Sequence, residues 1–356
     1  MSFRGFASVF GLIFVLGSGE CMASEVAPPV SVDVPVSAPV SIPGASSDVT
    51  LESKEAPKEK EAPKEEVRGM TAQEVFKDVE FLKREEVYVT PSWLAANLGR
   101  VVVLDARAQA LYLKGHVPGA VNAEWTHFVR LGGRPGDSGW GVRLPMPELA
   151  RRLGALGVDG ERTVVVYGDL GGWGQEGFLF WVMRSYGIRK VKILEGGYTG
   201  WLSSGGRRDL VPHRGKGGRM PRLSDKDDTR WNVDIKWLSE NLDKVKVIDV
   251  RTQPEYEGAR FFQERRGGRI PGALHLPFDS LFTKEGALKG QDEIRALMEG
   301  LGVSPQDVVI VYDTAGVRGA YACVALRMSG YYARNVDEGF QRWAGMPDLP
   351  VSTGRP

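Results

Sequence analysis

The stretch VVIVYDTAGVRGAYACVALRM, residues 308–328, contains the local pattern that decides the fold. Its first residues, Val308–Tyr312, are apolar, largely β-branched and too few for a helix, so they predict a buried strand. Its last residues, Ala320–Met328, are apolar helix formers and predict a buried helix. The loop between them, residues 313–319, has two glycines and an arginine. Such a strand–loop–helix unit directs backbone N–H groups into one small space and favours an anion there, although an ordinary turn has the same local pattern.

The composition is that of a globular protein with no strong electrostatic preference. The 356 residues are long enough for two domains, and 42% hydrophobic and 26% charged residues are ordinary values. The net charge of +1 gives no reason to expect a nucleic-acid partner. With two cysteines and four histidines, we expect no disulfide framework, no metal site and no cofactor.

The N-terminus has the pattern of an export signal. A short basic segment precedes the apolar run Val9–Leu16, and small residues follow up to Ala23. We expect residues 1–23 to be a signal peptide and the protein to be periplasmic or secreted. Two alternatives would tether it to a membrane: lipid attachment at Cys21, for which Glu20 is a poor match, or retention of the uncleaved segment.

Residues 24–70 are predicted to form a disordered linker. Val/Pro/Ser alternation passes into a Lys/Glu-rich run in which Glu-Ala-Pro-Lys-Glu occurs twice. Proline at this density prevents a helix, and the segment has little with which to form a core. Because the charges are mixed in sign, the run is typical of a solvated spacer.

Two copies of one pattern follow the linker. The landmarks of the first copy are the strand Val101–Leu104 with Asp105-Ala106-Arg107, the turn Gly115–Asn122, the strands Thr163–Tyr167 and Val191–Leu194, and Trp201. Those of the second are Val245–Ile248 with Asp249-Val250-Arg251, the turn Gly268–His275, the strand Val308–Tyr312, Asp337–Phe340, and Trp343. The spacing is 144 residues for the two motif aspartates, 145 for the two tyrosines and 142 for the two tryptophans.

Short buried strands that alternate with helices predict an α/β fold with parallel sheets. We therefore expect two domains, each a parallel β-sheet flanked by helices. The predicted boundaries are 71–210 for the first domain, 211–229 for a basic, glycine-rich inter-domain linker, and 230–356 for the second domain.

These landmarks resemble the rhodanese family, in particular its tandem-domain thiosulfate and 3-mercaptopyruvate sulfurtransferases. The resemblance covers residues 86–345, and its motifs are Asp-x-Arg, Gly-[His/Arg]-[Val/Ile]-Pro-Gly-Ala, and Glu-Gly followed by Trp. It implies two rhodanese-like domains, of which the first is usually a silent scaffold. The second carries a loop cysteine directly after the strand, and its persulfide passes sulfane sulfur from a donor to an acceptor.

Asp313 stands where that family has its cysteine, and the matching position of the first repeat is Gly168. The residues that would form the anion cradle are present, namely Thr314, Ala315, Gly316, Val317, Arg318 and Gly319. A carboxylate cannot store sulfane sulfur as a persulfide does, so we predict that Asp313 is not a nucleophile. We expect its carboxylate to occupy the cradle, imitate a bound anion and repel thiosulfate.

Four further residues are candidates for a cleft beside this loop: Arg251, Glu255, Arg260 and Arg269. Glu255 stands where family members that hold thiosulfate or mercaptopyruvate often have an arginine, which argues against an anionic substrate. Arg251, in the Asp-x-Arg motif, is expected to make an internal ion pair. Arg260 and Arg269 belong to a basic segment that is either a solvated loop or a site for an acidic partner.

The functional prediction is therefore a non-catalytic member of the sulfurtransferase family that binds a small anion or a periplasmic protein. The alternative is an active sulfurtransferase that uses Cys323 or another route, so whether the chain is an enzyme stays open. Cys323 follows the loop within the predicted helix, where a small buried residue is the ordinary expectation. A purely structural module is a third class that the sequence does not separate from the first.

Overall fold

A computed structural model of the protein describes residues 79–217, 219–225 and 228–354. The predicted signal peptide (residues 1–23) and disordered linker (residues 24–70) lie outside the described residues. Among the helices in the described ranges, none has both the length and the apolar character that crossing a bilayer requires.

The first repeat is built on a five-stranded parallel sheet in the order β1-β5-β4-β2-β3. Its two central strands, β2 and β4, are buried along their whole length, which explains their continuous apolar sequence. The helices and strands are, in chain order, α1 (Arg84–Val87), β1 (Tyr88–Val89), α2 (Pro91–Asn97), β2 (Val102–Asp105), α3 (Gln109–Leu113), β3 (Val121–Asn122), α4 (Met146–Ala155), β4 (Val164–Tyr167), α5 (Gln175–Ser185), β5 (Val191–Leu194) and α6 (Gly197–Ser203).

The second repeat has a four-stranded parallel sheet in the order β7-β6-β8-β9. A single parallel bridge between Asn232 and Asn335 lies beside β9, where the first repeat has β1 beside β5. The elements are α7 (Asp228–Trp231), α8 (Ile235–Glu240), β6 (Lys246–Asp249), α9 (Gln253–Glu257), β7 (Leu274–His275), α10 (Gln291–Gly300), β8 (Val308–Tyr312), α11 (Val317–Met328), β9 (Tyr332–Asn335) and α12 (Gly339–Gly345).

The predicted fold class, two α/β domains with parallel sheets, is confirmed. The strand Val308–Tyr312 is found with its predicted bounds. The following helix begins earlier than predicted, at Val317 rather than Ala320, because Gly316 adopts a left-handed conformation and caps it. Arg318 and Gly319 therefore belong to the first turn of α11 and not to the loop.

The Asp-x-Arg motif holds each sheet to the turn that follows it. In the second repeat Arg251 pairs with Asp249 at 2.6 Å and donates to the carbonyl of Gly268 at 2.7 Å. The hydroxyl of Tyr312 donates to Asp249 at 2.5 Å and accepts from the N–H of Ile270 at 3.2 Å. The first repeat has the same network around Asp105. The expected internal ion pair of Arg251 is thus present.

The two repeats pack against each other through α5 and α11 and share one apolar core. The ring of Tyr321 lies so close to Gly177 that a Cβ there would be 2.3 Å from it, which explains the glycine. Arg143 of the first repeat pairs with Asp337 of the second at 2.9 Å, and both side chains are buried. The strand ends of both repeats are therefore held in one packed body.

Candidate functional site

The loop after β8 is shaped by one glycine. Gly316 has φ of +82°, and a Cβ there would lie 2.4 Å from the carbonyl oxygen of Asp337. A residue with a side chain would therefore be strained and would clash with the backbone. The second loop, residues 313–316, turns at this point and leads into the first N–H groups of α11.

The carboxylate of Asp313 lies in the cradle that these N–H groups form. Oδ1 accepts from the N–H of Gly316 at 2.5 Å, and Oδ2 accepts from the N–H of Arg318 at 3.1 Å. The residue is 2% exposed, so a bound anion in this place would have to displace the side chain. The structure thus puts a carboxylate where the helix N-terminus favours a negative charge.

Arg318 is shared between two buried carboxylates. Its guanidinium donates to Oε1 and Oε2 of Glu255 at 2.9 and 3.1 Å, and its Nε lies 3.5 Å from Oδ2 of Asp313. Thr314 joins the network, because its hydroxyl donates to Glu255 at 2.6 Å and accepts from Arg318 at 2.8 Å. Burial alone would raise the pKa of Glu255, but the hydrogen bonds and charge of Arg318, together with Thr314, lower it to about 2.

The charged side chains of this site are therefore already paired with one another. One guanidinium faces two carboxylates, so no positive charge is left over for an anionic substrate. Ala315 is half-buried, Val317 is buried, and Gly319 leaves the room in which the amide oxygen of Asn335 lies. The arrangement is a closed ion network rather than an open anion-binding pocket.

Of the four predicted cleft residues, Glu255 bonds to this loop, and the other three have their described contacts elsewhere. Arg251 is 1% exposed, and its guanidinium is paired with the carboxylate of Asp249. Arg269 donates to the carbonyls of Tyr256 and Gly354 at 3.3 and 2.6 Å. Arg260 is exposed, and its guanidinium lies 3.4 Å from the carbonyl of Arg265. No open cluster of arginines forms among these residues.

Cys323 is buried within α11, as its sequence context predicts. It is fully buried, and its Sγ contacts the carbonyl oxygen of Ala333 at 3.3 Å. Burial raises the pKa of the thiol, although the neighbouring Arg327 opposes the shift. A thiol that is neutral and out of reach of solvent is a poor nucleophile.

The first loop, residues 168–174, reveals a residue that the sequence argument missed. Gly168 follows β4 as Asp313 follows β8, but it has no side chain. A Cβ on it would lie 2.2 Å from Oε2 of Glu176, which comes from the first turn of α5. Burial and the nearby charge of Asp169 raise the pKa of Glu176 to about 7. Gly174 and Gly316 cap the corresponding helices α5 and α11. When the two helices are aligned on these glycines, Glu176 corresponds to Arg318.

An exposed aromatic pair lies beside the second loop and was also missed. Phe261 and Phe262 are 60% and 41% exposed. Gln341 connects them to the site, because its side chain donates to the carbonyl of Phe262 at 2.6 Å and its backbone N–H donates to the carbonyl of Thr314 at 3.0 Å. The basic segment that the sequence placed beside the loop therefore presents two phenylalanines there.

The family model and the relatives found by comparison with known proteins point to the same family. The model of the rhodanese-like domain matches residues 90–204 and 234–346. The chain is 29% identical over 293 residues to the sulfur carrier protein TtuD of Thermus thermophilus, covering 76% of this chain and 97% of that protein. It is 27% identical to a thiosulfate sulfurtransferase of Corynebacterium glutamicum, covering 78% of this chain and 94% of that protein.

Among solved structures, the anaerobic ergothioneine biosynthesis enzyme of Chlorobium limicola has a similar fold. The TM-score is 0.68 at 24% identity, and the match covers 77% of this chain and 72% of that chain. At this identity the likeness concerns the fold alone.

Proposed function

Since the chain belongs to the rhodanese-like domain family, of which it carries two copies in tandem, we propose that it is a non-catalytic member that binds a protein partner. The observation that carries the proposal is the carboxylate of Asp313 in the cradle, bonded by the N–H groups of Gly316 and Arg318. A persulfide needs this same space, and a carboxylate cannot hold sulfane sulfur.

The alternative is an active sulfurtransferase, which the names of the relatives favour. It would need Cys323 to reach a sulfur donor, although this thiol is fully buried and contacts the carbonyl of Ala333. Burial of this kind argues against the alternative, because thiolates that react with donors are accessible and stabilised.

The test is sulfur transfer by the purified protein, with thiosulfate and 3-mercaptopyruvate as donors and cyanide as acceptor. We expect the wild type and Cys323→Ser to give the same rate as a blank without protein. A wild-type rate above the blank that Cys323→Ser abolishes would establish the alternative. A rate above the blank in both would point to another route and would equally contradict the proposal.

Partner binding is supported by the aromatic pair beside the second loop. Phe261 and Phe262 are exposed, and the exposed Arg260 precedes them. Aromatic residues and arginine are the residue types that most often anchor protein interfaces. Because the side chain of Asp313 fills the cradle, a partner would contact the aromatic pair and Arg260 rather than the loop. A small anion is disfavoured as the ligand, because Arg318 is already paired with Glu255 and Asp313.

A photo-crosslinking amino acid at position 261 would test this surface, with the same group at Leu131 as the control, since Leu131 is 41% exposed in the other repeat. We expect a protein adduct from position 261 and not from position 131. The purified adduct partner should then bind wild type and not Phe261→Ser/Phe262→Ser. Equal adducts from both positions, or none, would contradict the proposed surface.

We further propose that the protein is exported, on the basis of the apolar run and the small residues near the N-terminus. The expected mature N-terminus is Ser24. Sequencing of the N-terminus of the protein from the periplasmic fraction checks this, and a lipid-modified Cys21 or an intact Met1 would contradict cleavage at this site.

A further inference from the structure

A second group of titratable side chains lies outside the two loops. His116, in the turn before β3, meets Asp209 and His213, which follow α6. One ligand atom from each of the three residues lies within 4.8 Å of the other two. This group could not be predicted from the sequence, because 95 residues separate His116 from Val211, which the imidazole contacts.

The imidazole of His116 is held between two carbonyl oxygens. Nδ1 lies 2.9 Å from the carbonyl of Tyr112, and Nε2 lies 3.1 Å from the carbonyl of Val211. The residue is fully buried. A neutral imidazole has one N–H, so it can donate to one carbonyl while its other nitrogen directs a lone pair at the second oxygen. This contact is repulsive unless a cation joins the two atoms.

The second repeat shows what the same place holds there. Arg269 occupies the position of His116, and its guanidinium donates to the carbonyls of Tyr256 and Gly354. The backbone pairing is also the same: His116 pairs with Asp209 in the first repeat, and Arg269 pairs with Ser352 in the second. Tyr256 and Gly354 thus correspond to Tyr112 and Val211. In the second repeat a permanent cation bonds to both carbonyls.

The first repeat has two further ligand-type side chains at this place. Counted from the paired residues, Asp209 corresponds to Ser352. Where the second repeat has an arginine, the first therefore has a histidine with a carboxylate and a second imidazole beside it. His213 Nε2 lies 2.7 Å from Asp209 Oδ2, and these two side chains are 36% and 22% exposed, so an ion can reach them from solvent.

We propose that His116, Asp209 and His213 bind a divalent transition-metal ion, with Zn²⁺ as the reference ion. Two imidazoles and one carboxylate are ligands that zinc takes in proteins, and the carbonyl of Val211 or a water would complete four-coordination. In the tautomer with the proton on Nδ1, His116 donates to the carbonyl of Tyr112 and leaves Nε2 as the ligand atom. A backbone acceptor of this kind commonly orients metal-binding histidines.

The geometry requires local adjustments. Ligand atoms about 2.0 Å from a tetrahedral ion are about 3.3 Å apart, so the hydrogen bond between His213 and Asp209 has to open slightly, and any of the three atoms that are as far apart as 4.8 Å have to approach each other. Both side chains are partly exposed and follow the last helix of the first repeat, so solvent leaves them room for such a movement. The bound ion would fasten this segment to the turn that contains His116. The site is independent of the second loop and of its catalytic state.

The test is Zn²⁺ binding to the full-length protein after chelator treatment, measured in competition with a chromophoric chelator. We expect one ion per chain. His213→Ala and Asp209→Ala should each weaken binding by more than the roughly 10- to 100-fold that loss of a supporting residue causes. His127→Ala is the matched control, because His127 lies outside the group and should leave affinity unchanged.

A second variant removes the buried ligand and keeps a cation in its place. His116→Arg gives the first repeat the side chain of the second, so it should fold with an unchanged circular dichroism spectrum and bind no Zn²⁺ at this site. Wild-type protein that binds no Zn²⁺ at micromolar concentration would overturn the proposal. Binding that survives in both His116→Arg and His213→Ala would also overturn it.

Discussion

The first loop, after β4, and the second loop, after β8, both have a carboxylate beside the position that directly follows the strand. The residue that supplies this carboxylate differs between the two loops. In the second loop the carboxylate belongs to Asp313, the residue directly after the strand, and Arg318 pairs with it from the helix. In the first loop Gly168 has no side chain, and the carboxylate of Glu176 comes from the helix position that corresponds to Arg318. The same framework therefore holds an acid that is paired with an arginine in one repeat and, among the described residues, an acid without a cation partner in the other.

The difference shows that the pairing of the acid, and not the loop alone, decides its chemistry. Glu255, which shares Arg318 with Asp313, has its pKa lowered to about 2 against the effect of burial. None of the described side chains donates a hydrogen bond to Glu176, and burial raises its pKa to about 7. A shared fold thus carries opposite electrostatic environments at equivalent positions.

The largest effect on stability is expected from removal of Arg318, the cation that has no counterpart beside the first loop. Arg318→Met leaves the buried carboxylates of Asp313 and Glu255 unpaired, which should lower the free energy of unfolding by about 3–5 kcal/mol. Chemical denaturation checks this. The control is Arg84→Met, because Arg84 forms an exposed pair with Glu195 in the first repeat and such pairs contribute about 1 kcal/mol or less. Equal losses in the two variants would contradict the account.

The carboxylate of the second loop should have the next largest effect. Asp313→Ala removes the acceptor of the N–H groups of Gly316 and Arg318, so we expect a loss of about 2–3 kcal/mol in the free energy of unfolding. Gly168→Ala is the comparison in the first loop, where Glu176 has to move and no such acceptor is lost. An Asp313→Ala variant as stable as the wild type would show that the N–H groups do not hold the carboxylate.

The two acids should give opposite dependences of stability on pH. The folded pKa of Glu255 lies below its ordinary value, so its contribution is present above about pH 4.5 and is lost as the pH falls toward 2. The folded pKa of Glu176 lies above its ordinary value, so it destabilises the protein increasingly as the pH rises from about 4.5 to 7.

Glu176→Gln should therefore be more stable than the wild type at pH 8, by about 1–2 kcal/mol because the side chain is partly exposed, and equally stable at pH 4. Denaturation at the two pH values measures the difference. A variant that loses stability at pH 8 would mean that the Glu176 carboxylate has a favourable partner.

The smallest effect is expected at Cys323. Its counterpart in the first repeat, counted from the helix caps, is Trp181, and both are fully buried core residues. Cys323→Ala should lower the free energy of unfolding by about 1 kcal/mol, as small changes in a core do. In the wild type, a thiol reagent should label Cys323 only after denaturation. Rapid labelling of the native protein would show that the thiol is accessible.

The fold could be predicted from the sequence because it depends on patterns that repeat. The strand Val308–Tyr312 and the Asp-x-Arg motifs carry their period and spacing in the chain itself, and the structure has them in the predicted places. The position of Asp313 after the strand could be predicted for the same reason. The start of α11 was misplaced because the left-handed conformation of Gly316 was not used as a helix cap.

The contacts of the site could not be predicted in the same way. Glu255 lies 63 residues from Arg318, and which of the arginines it pairs with is decided by packing. Arg260 and Arg269 belong to the same basic segment, yet Arg260 is exposed, whereas Arg269 is buried and donates to backbone carbonyls. Glu176 was missed because the first loop is longer than the second, so counting from Tyr167 does not align the helices.

The central claim is that the second loop stabilises an anion at position 313, whereas the first loop does not at position 168. The most direct test compares the thiol pKa of Asp313→Cys and Gly168→Cys, each in a background with Cys21→Ser and Cys323→Ala, from the pH dependence of alkylation by iodoacetamide. We predict a pKa for Asp313→Cys below the ordinary thiol value of about 8.5, because N–H groups and Arg318 surround it, and a pKa above that value for Gly168→Cys beside Glu176. Equal pKa values, or the higher value at position 313, would contradict the account.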